Sequence, residues 1–228
     1  MPNILNIETA TAICSVALST DGKVIALQES EQTNVHAEKL AVFIQVIMEQ
    51  AALPYSQLDA IAIGTGPGSY TGLRIGTSTA KGLCYALDKP LIAIPTLKAM
   101  ALASAAEIKR NDIYYCSMID ARRLEVYTGL YDFEGNEVKP VEAKILDKYS
   151  FTEILNESGI AFAGDGMPKM KKLSPPDDTH RIWIDNIYAS AGNMVQLSEK
   201  EFHEKKFADL AYYEPYYLKD FIAGKKIR

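Results

Sequence analysis

The chain is poor in the residues from which metal sites, nucleophile triads and disulfide frameworks are built. Its only histidines are His36, His180 and His203. No two share the i, i+3 or i+4 spacing that puts two imidazoles on one helix face, so no metal site is expected. Cys14, Cys84 and Cys116 are odd in number, far apart and set in apolar sequence, with no CxxC pair. They read as small core residues of a reduced chain. No Ser-His-Asp or Cys-His grouping stands out, which leaves a peptidase reading without support. No run reaches the roughly 18 apolar residues of a membrane-spanning helix. The opening Met1-Pro2-Asn3-Ile4-Leu5 lacks the basic and apolar regions of a secretion signal. A cytoplasmic protein without a membrane partner is expected. The net charge of −5 gives no general basic surface with which to hold RNA unaided.

What is present is ample core material. With 228 residues, 48% of them apolar and 23% charged, the chain suits one large domain or two lobes of about 100 to 150 residues. Residues 4–10 and 13–19 read as strands, and Asp21-Gly22 marks a hairpin into a third strand over 23–29. A helix capped by Asn34 is expected over 35–53, a buried parallel strand over 60–64 and a helix over 69–87. Pro90 ends that helix, a strand follows over 91–94, and Pro95-Thr96 opens a helix to residue 108. Near residue 110 the order begins again, with strands over 113–119 and 124–132 around Asp120-Ala121-Arg122-Arg123. A turn follows at Glu134-Gly135-Asn136. Further on, a helix is expected over 187–197, capped by Asp185 or Asn186, and then an aromatic extended tail over 212–218.

Glu8 stands to Asp120 at nearly the offset at which Gly22 stands to Gly135, and Ala62–Pro67 is echoed by Phe162–Pro168. Two echoes in one order imply two lobes of related α/β topology, residues 1–109 and 110–228, with the tail returning to the first lobe.

The most specific stretch is the run from Gly64 to Gly76. It follows a strand and opens a helix, so its free N–H groups could cradle an anion; Gly66, Gly68 and Ser69, with Lys225 and Lys226 of the basic tail, are the candidates. It fits neither the G-x-G-x-x-G fingerprint nor the P-loop. The alternative is packing. Gly72, Gly76, Ala80 and Cys84 recur every fourth residue, a small stripe against which another helix could lie close. The preceding helix carries two apolar stripes, one on Leu40, Phe43, Ile44, Ile47 and Ala51 and one on Val42, Val46 and Leu53. One stripe suffices for the chain's own sheet; the second suits either an association site or a third layer within the same chain.

The segment Gly66-Pro-Gly-Ser-Tyr-Thr-Gly-Leu-Arg-Ile-Gly76 closely resembles the GPGSFTGLRIG signature of the TsaB (YeaZ) family. Ile4–Ala10, Ile119–Arg122 with Glu125-Val-Tyr127, and Glu214-Pro215 with Tyr217-Leu218 agree in order. The resemblance implies a two-lobed actin/Hsp70/sugar-kinase-like (ASKHA) fold and a role in making threonylcarbamoyladenosine in tRNA. It implies a non-catalytic subunit that pairs with a catalytic TsaD-like subunit through the helices after the third strand and after the glycine loop. A TsaE-like ATPase would join them, the chain alone would form a homodimer, and tRNA would be met only through the complex. On this basis His36, Val42, Val46, Tyr70, Leu73, Arg74, Gly76 and Thr77 are expected partner contacts. No cofactor is expected on this chain alone, and ATP is expected, if anywhere, at the joint of the complex. The two histidines with which TsaD proteins hold a metal correspond here to Thr96 and Met100. Glu8 and Asp120 end their strands where an ASKHA enzyme holds Mg²⁺ and phosphate, but Thr9-Ala10 and Ala121-Arg122 follow them where glycine would let a phosphate approach. They read as vestiges, or as residues bonding their own turns. The rival reading is an ATP-dependent phosphotransferase or ATPase using both acids.

Overall fold

A computed structural model describes residues 1–30, 36–176 and 178–219. The first half runs β1 (Asn3–Glu8), β2 (Cys14–Thr20), β3 (Lys23–Ser30), α1 (His36–Gln50), β4 (Ala60–Gly64), α2 (Tyr70–Leu87), β5 (Leu91–Ile94) and α3 (Thr96–Ile108). The second runs β6 (Ile113–Asp120), β7 (Glu125–Tyr131), β8 (Glu137–Ile145), α4 (Thr152–Leu155), β9 (Gly159–Ala163), α5 (Met167–Leu173), β10 (Arg181–Ile184) and α6 (Ala191–His203). The sheet orders are β3-β2-β1-β4-β5 and β10-β9-β6-β7-β8, the same plan twice. In each sheet the first strand of the half pairs antiparallel with the second and parallel with the fourth.

Alternation along β1 sorts its side chains between two cores. Leu5 and Ile7 join Leu40, Ile44 and Ile47 of α1 and Ala80 and Cys84 of α2. Ile4 faces the other way, toward Met194, Val195 and Leu197 of α6. The second sheet is likewise sandwiched, with Leu97, Met100, Ala101 and Ala105 of α3 inside and Met167 and Met170 of α5 outside. The last helix of each half therefore covers the sheet of the other half. Five layers result: α1 and α2, the first sheet, α6 and α3, the second sheet, α4 and α5.

Three expectations need correction. The helix placed over 187–197 runs Ala191–His203, with Ser190 rather than Asp185 or Asn186 as its cap: the Gly192 amide donates to Ser190 Oγ at 3.1 Å. Ile187, whose apolarity suggested an early start, packs instead into the second sheet's core. The first long helix ends at Gln50, three residues short, because Ala52 adopts a left-handed φ of 49° and Leu53 donates back to Met48 O. Strand β8 was not foreseen; Pro140 in its middle and its exposed face hid an edge strand, where proline is tolerated. Asn34, the expected cap of α1, lies outside the described residues.

Candidate functional site

The glycine loop sits at the carboxyl end of β4, where Ser69 caps α2 by accepting from the Gly72 amide at 3.2 Å. Its glycines are packed against the chain's own β1–β2 turn. A Cβ on Gly68 would lie 2.0 Å from Ala10 O, one on Gly72 2.2 Å from Thr9 O, and one on Gly76 2.2 Å from Thr9 Oγ1. The small stripe expected to admit a foreign helix is thus filled from within, because the hairpin turn must pass over α2. Leu73, Thr77, Ala80 and Cys84 share that inward face and are buried. Gly76, Leu73, Thr77 and His36, all expected partner contacts, are covered by this same chain; His36 is buried with Nε2 3.3 Å from Ile13 O.

The outward face of the same helices is different. On α2, Thr71, Arg74, Ser78, Gly82 and Tyr85 are exposed. On α1, which lies beside it, Ala41, Val42, Gln45 and Glu49 are exposed and Val46 is half-buried. Val42 is 52% exposed and Tyr85 85%. Tyr70, half-buried, carries the Arg74 guanidinium over its ring at 4.7 Å. Of the expected contacts, Val42, Val46, Tyr70 and Arg74 are reachable from outside.

Glu8 and Asp120 occupy matching strand ends and opposite surroundings. Glu8 is buried; Oε1 accepts from the Thr9 and Ala10 amides at 2.8 Å, and Oε2 accepts from Thr96 Oγ1 at 2.8 Å. Burial pushes its carboxyl above the ordinary range, against the lowering effect of these three bonds. Thr96 Oγ1 also accepts from the Gly66 amide at 3.1 Å. One hydroxyl thereby joins β1, the glycine loop and the start of α3. Asp120 is exposed and accepts from Lys169 Nζ and the Arg122 amide, each at 2.6 Å. Three of the loop's amides are committed too: Gly66 to Thr96, Ser69 to Ala10 O and Gly72 to Ser69. Lys225 and Lys226 lie outside the described residues.

A cleft of about 620 Å³ opens between the halves, walled by Thr65, Pro95, Leu97, Lys98, Tyr131, Pro140 and Tyr216. Met100, at the second position of the missing histidine pair, is buried among apolar neighbours. All three cysteines are buried and in no disulfide, and burial pushes the Cys116 thiol, 3.2 Å from Thr128 Oγ1, up to about 12. Two groups escaped sequence reasoning. The sequence marks Thr96 as a helix opener and an absent ligand, whereas its place after the β5 strand and Pro95 sets it against the β1 end. Lys81 was not singled out; its Nζ donates to Ala211 O and Tyr213 O.

The family described as "TsaD: tRNA N6-adenosine threonylcarbamoyltransferase" matches residues 24–219. The chain is 31% identical to the Escherichia coli "tRNA threonylcarbamoyladenosine biosynthesis protein TsaB", covering 98% of this chain and 97% of that protein. Its fold is similar to the structure of "YeaZ from Pseudomonas aeruginosa", with a TM-score of 0.82, 25% identity, and 96% and 100% of the two chains covered. The activator of the 2-hydroxyisocaproyl-CoA dehydratase from Clostridium difficile, solved with ADPNP, shares the fold alone, with a TM-score of 0.50, 8% identity, and 90% and 96% covered. The duplicated sheets, the paired strand-end acids and these likenesses agree: the chain belongs to the TsaD family, on its TsaB (YeaZ) branch, and has the two-lobed ASKHA fold.

Proposed function

We propose that this chain is the non-catalytic scaffold of the complex that forms N6-threonylcarbamoyladenosine at position 37 of tRNA, held to a TsaD-like catalytic subunit. The observation that carries the reading is the outward face of α1 and α2. It exposes Val42 and Tyr85 beside small residues, while the glycines, Glu8 and Thr96 are turned inward and bonded within the chain. An exposed apolar face on two adjacent helices suits a helical partner. At the places where a metal-binding subunit would need imidazoles stand Thr96, committed to Glu8, and Met100, committed to the core. A TsaE-like ATPase completes the assembly, a second copy of this chain takes the same face when the partner is absent, and tRNA is met through the complex. Nucleotide belongs at the joint between subunits, since Gly66 and Ser69 have spent their amides. Among the described residues no helix is long and apolar enough to cross a membrane; a cytoplasmic site of action fits this chemistry.

The rival phosphotransferase needs both acids free for Mg²⁺ and phosphate. Glu8 is enclosed and its oxygens have three donors already, which counts against it. Val42→Asp decides the matter. It places a charge on the exposed face without touching the core, and should abolish co-elution with the TsaD-like subunit while the melting temperature stays unchanged. Reconstituted tRNA modification should fall with it. If the variant still co-elutes and modifies tRNA at the wild-type rate, the face is misassigned.

A further inference from the structure

The segment after α6 does not trail away from the molecule. The Ala208 amide donates to Leu91 O at 2.8 Å, bridging the open edge of β5. Lys81 Nζ, from the fourth turn of α2, holds Ala211 O at 3.1 Å and Tyr213 O at 3.2 Å. The Tyr216 amide donates to Thr65 O at 2.9 Å, at the start of the glycine loop. The Tyr217 ring lies 4.9 Å from that of Tyr70, and Lys219 pairs with Glu125 of the second half. The strap therefore climbs α2 from its middle to its first turn and ends on the other lobe.

Its upper end meets the part of α2 that faces outward. Tyr217, Tyr70 and Arg74 form one cluster, with the Arg74 guanidinium 4.7 Å from the Tyr70 ring and the Tyr217 ring tilted against Tyr70 at 4.9 Å. Arg74 is exposed on the face described above, whereas Tyr70 is half-buried and touches both the strap and that arginine. A long arginine side chain loses much rotamer freedom on binding, and a ring pair that already fixes it lowers that cost.

We propose that docking of the strap over 208–219 and binding of the helical partner are linked, with the Tyr217–Tyr70–Arg74 cluster as the coupling element. The inference rests on the reading of the α1–α2 face as the partner site. With the strap docked, Arg74 is held in its binding orientation; with the strap released, Tyr70 loses its ring partner and the platform under Arg74 is no longer fixed. Linkage is reciprocal, so the partner must hold the strap down by the factor with which the strap aids the partner. A cluster of this kind supports about a tenfold effect.

The test uses the full chain, titrated calorimetrically with the TsaD-like subunit, together with hydrogen exchange at the Tyr216 amide. Tyr217→Ala should weaken binding about tenfold and speed that exchange, and Tyr217→Phe should restore both. Tyr216→Pro, which removes the donor to Thr65 O and keeps the side chains of Tyr217, Tyr70 and Arg74, should weaken binding as well. Saturating wild-type chain with partner should slow Tyr216 exchange about tenfold. Unchanged affinity in Tyr217→Ala overturns the linkage. So does a loss seen in Tyr217→Ala but not in Tyr216→Pro, because Tyr217 would then be touching the partner directly. Val42→Asp separates the two levels: if that variant binds normally the face itself is wrong, whereas its failure beside normal strap variants removes only the coupling.

Discussion

The two halves carry the same five-strand plan and dress it differently. Outside the first sheet lie α1, with 15 residues, and α2, with 18; the matching positions outside the second hold α4, with 4, and α5, with 7. Where the helices are trimmed, rings fill the space: Phe162 packs between Phe151 at 5.5 Å and Trp183 at 5.1 Å. The second lobe thus closes its outer core at small expense of chain, while the first keeps two long helices with a face to spare. The strand-end acids differ in parallel. Glu8 is a buried internal clasp; Asp120 is a surface partner of Lys169. One topology thus carries an internal acid clasp and an exposed two-helix face in the first lobe, and a surface ion pair with a short-helix outer layer in the second.

Breaking the Glu8 clasp should produce the largest effect. Thr96→Val strands both Glu8 Oε2 and the Gly66 amide inside the molecule, and should cost about 2 to 4 kcal/mol in urea denaturation. Gly72→Ala comes next: its methyl meets the Thr9 carbonyl, a backbone group that cannot swing aside, for about 1 to 3 kcal/mol. Asp120→Asn, the lobe-two counterpart, removes a partly exposed pair and should cost less than about 1 kcal/mol. If Asp120→Asn cost as much as Thr96→Val, the contrast drawn between the lobes would fail. Smallest and opposite in sign is Gly82→Ala. This glycine lies in the same helix as Gly72 with nothing near its missing Cβ, so alanine should stabilise the isolated chain by about 0.5 to 1 kcal/mol.

Acidity sharpens the comparison further. Burial raises the Glu8 carboxyl above its free value of 4.5, so the folded chain holds that proton more tightly than the unfolded chain does. The contribution favours the fold below the free value and is lost as pH rises through the folded one. Glu8→Gln cannot ionise. Its stability relative to wild type should therefore improve as pH rises from the free value of 4.5 through the raised folded one, as read from denaturation midpoints.

Much of this was written in local sequence. Strands β4 and β5 and helix α3 fall where the apolar runs and their glycine and proline boundaries placed them, because buried parallel strands leave a continuous signal. The repeat was legible through Glu8 and Asp120, since both sheets need a polar turn at the same strand end. The site was less so. Periodicity put Gly72, Gly76 and Ala80 on one face of α2 without saying what would lie against that face. Only the folded hairpin brings Thr9 there. The role of Thr96 needs contacts from residues far away in the chain, Glu8 and Gly66, and the strap's hold on Lys81 needs others farther still. Such pairings have no spacing to read.

The exchange of last helices has a consequence for inheritance. Because α3 lines the second sheet and α6 the first, a cut between Ile108 and Ile113 would leave each fragment with an uncovered apolar sheet and a helix that has nowhere to settle. Neither half can therefore be lost, borrowed or fused elsewhere as a module without stripping the other's sheet of its cover.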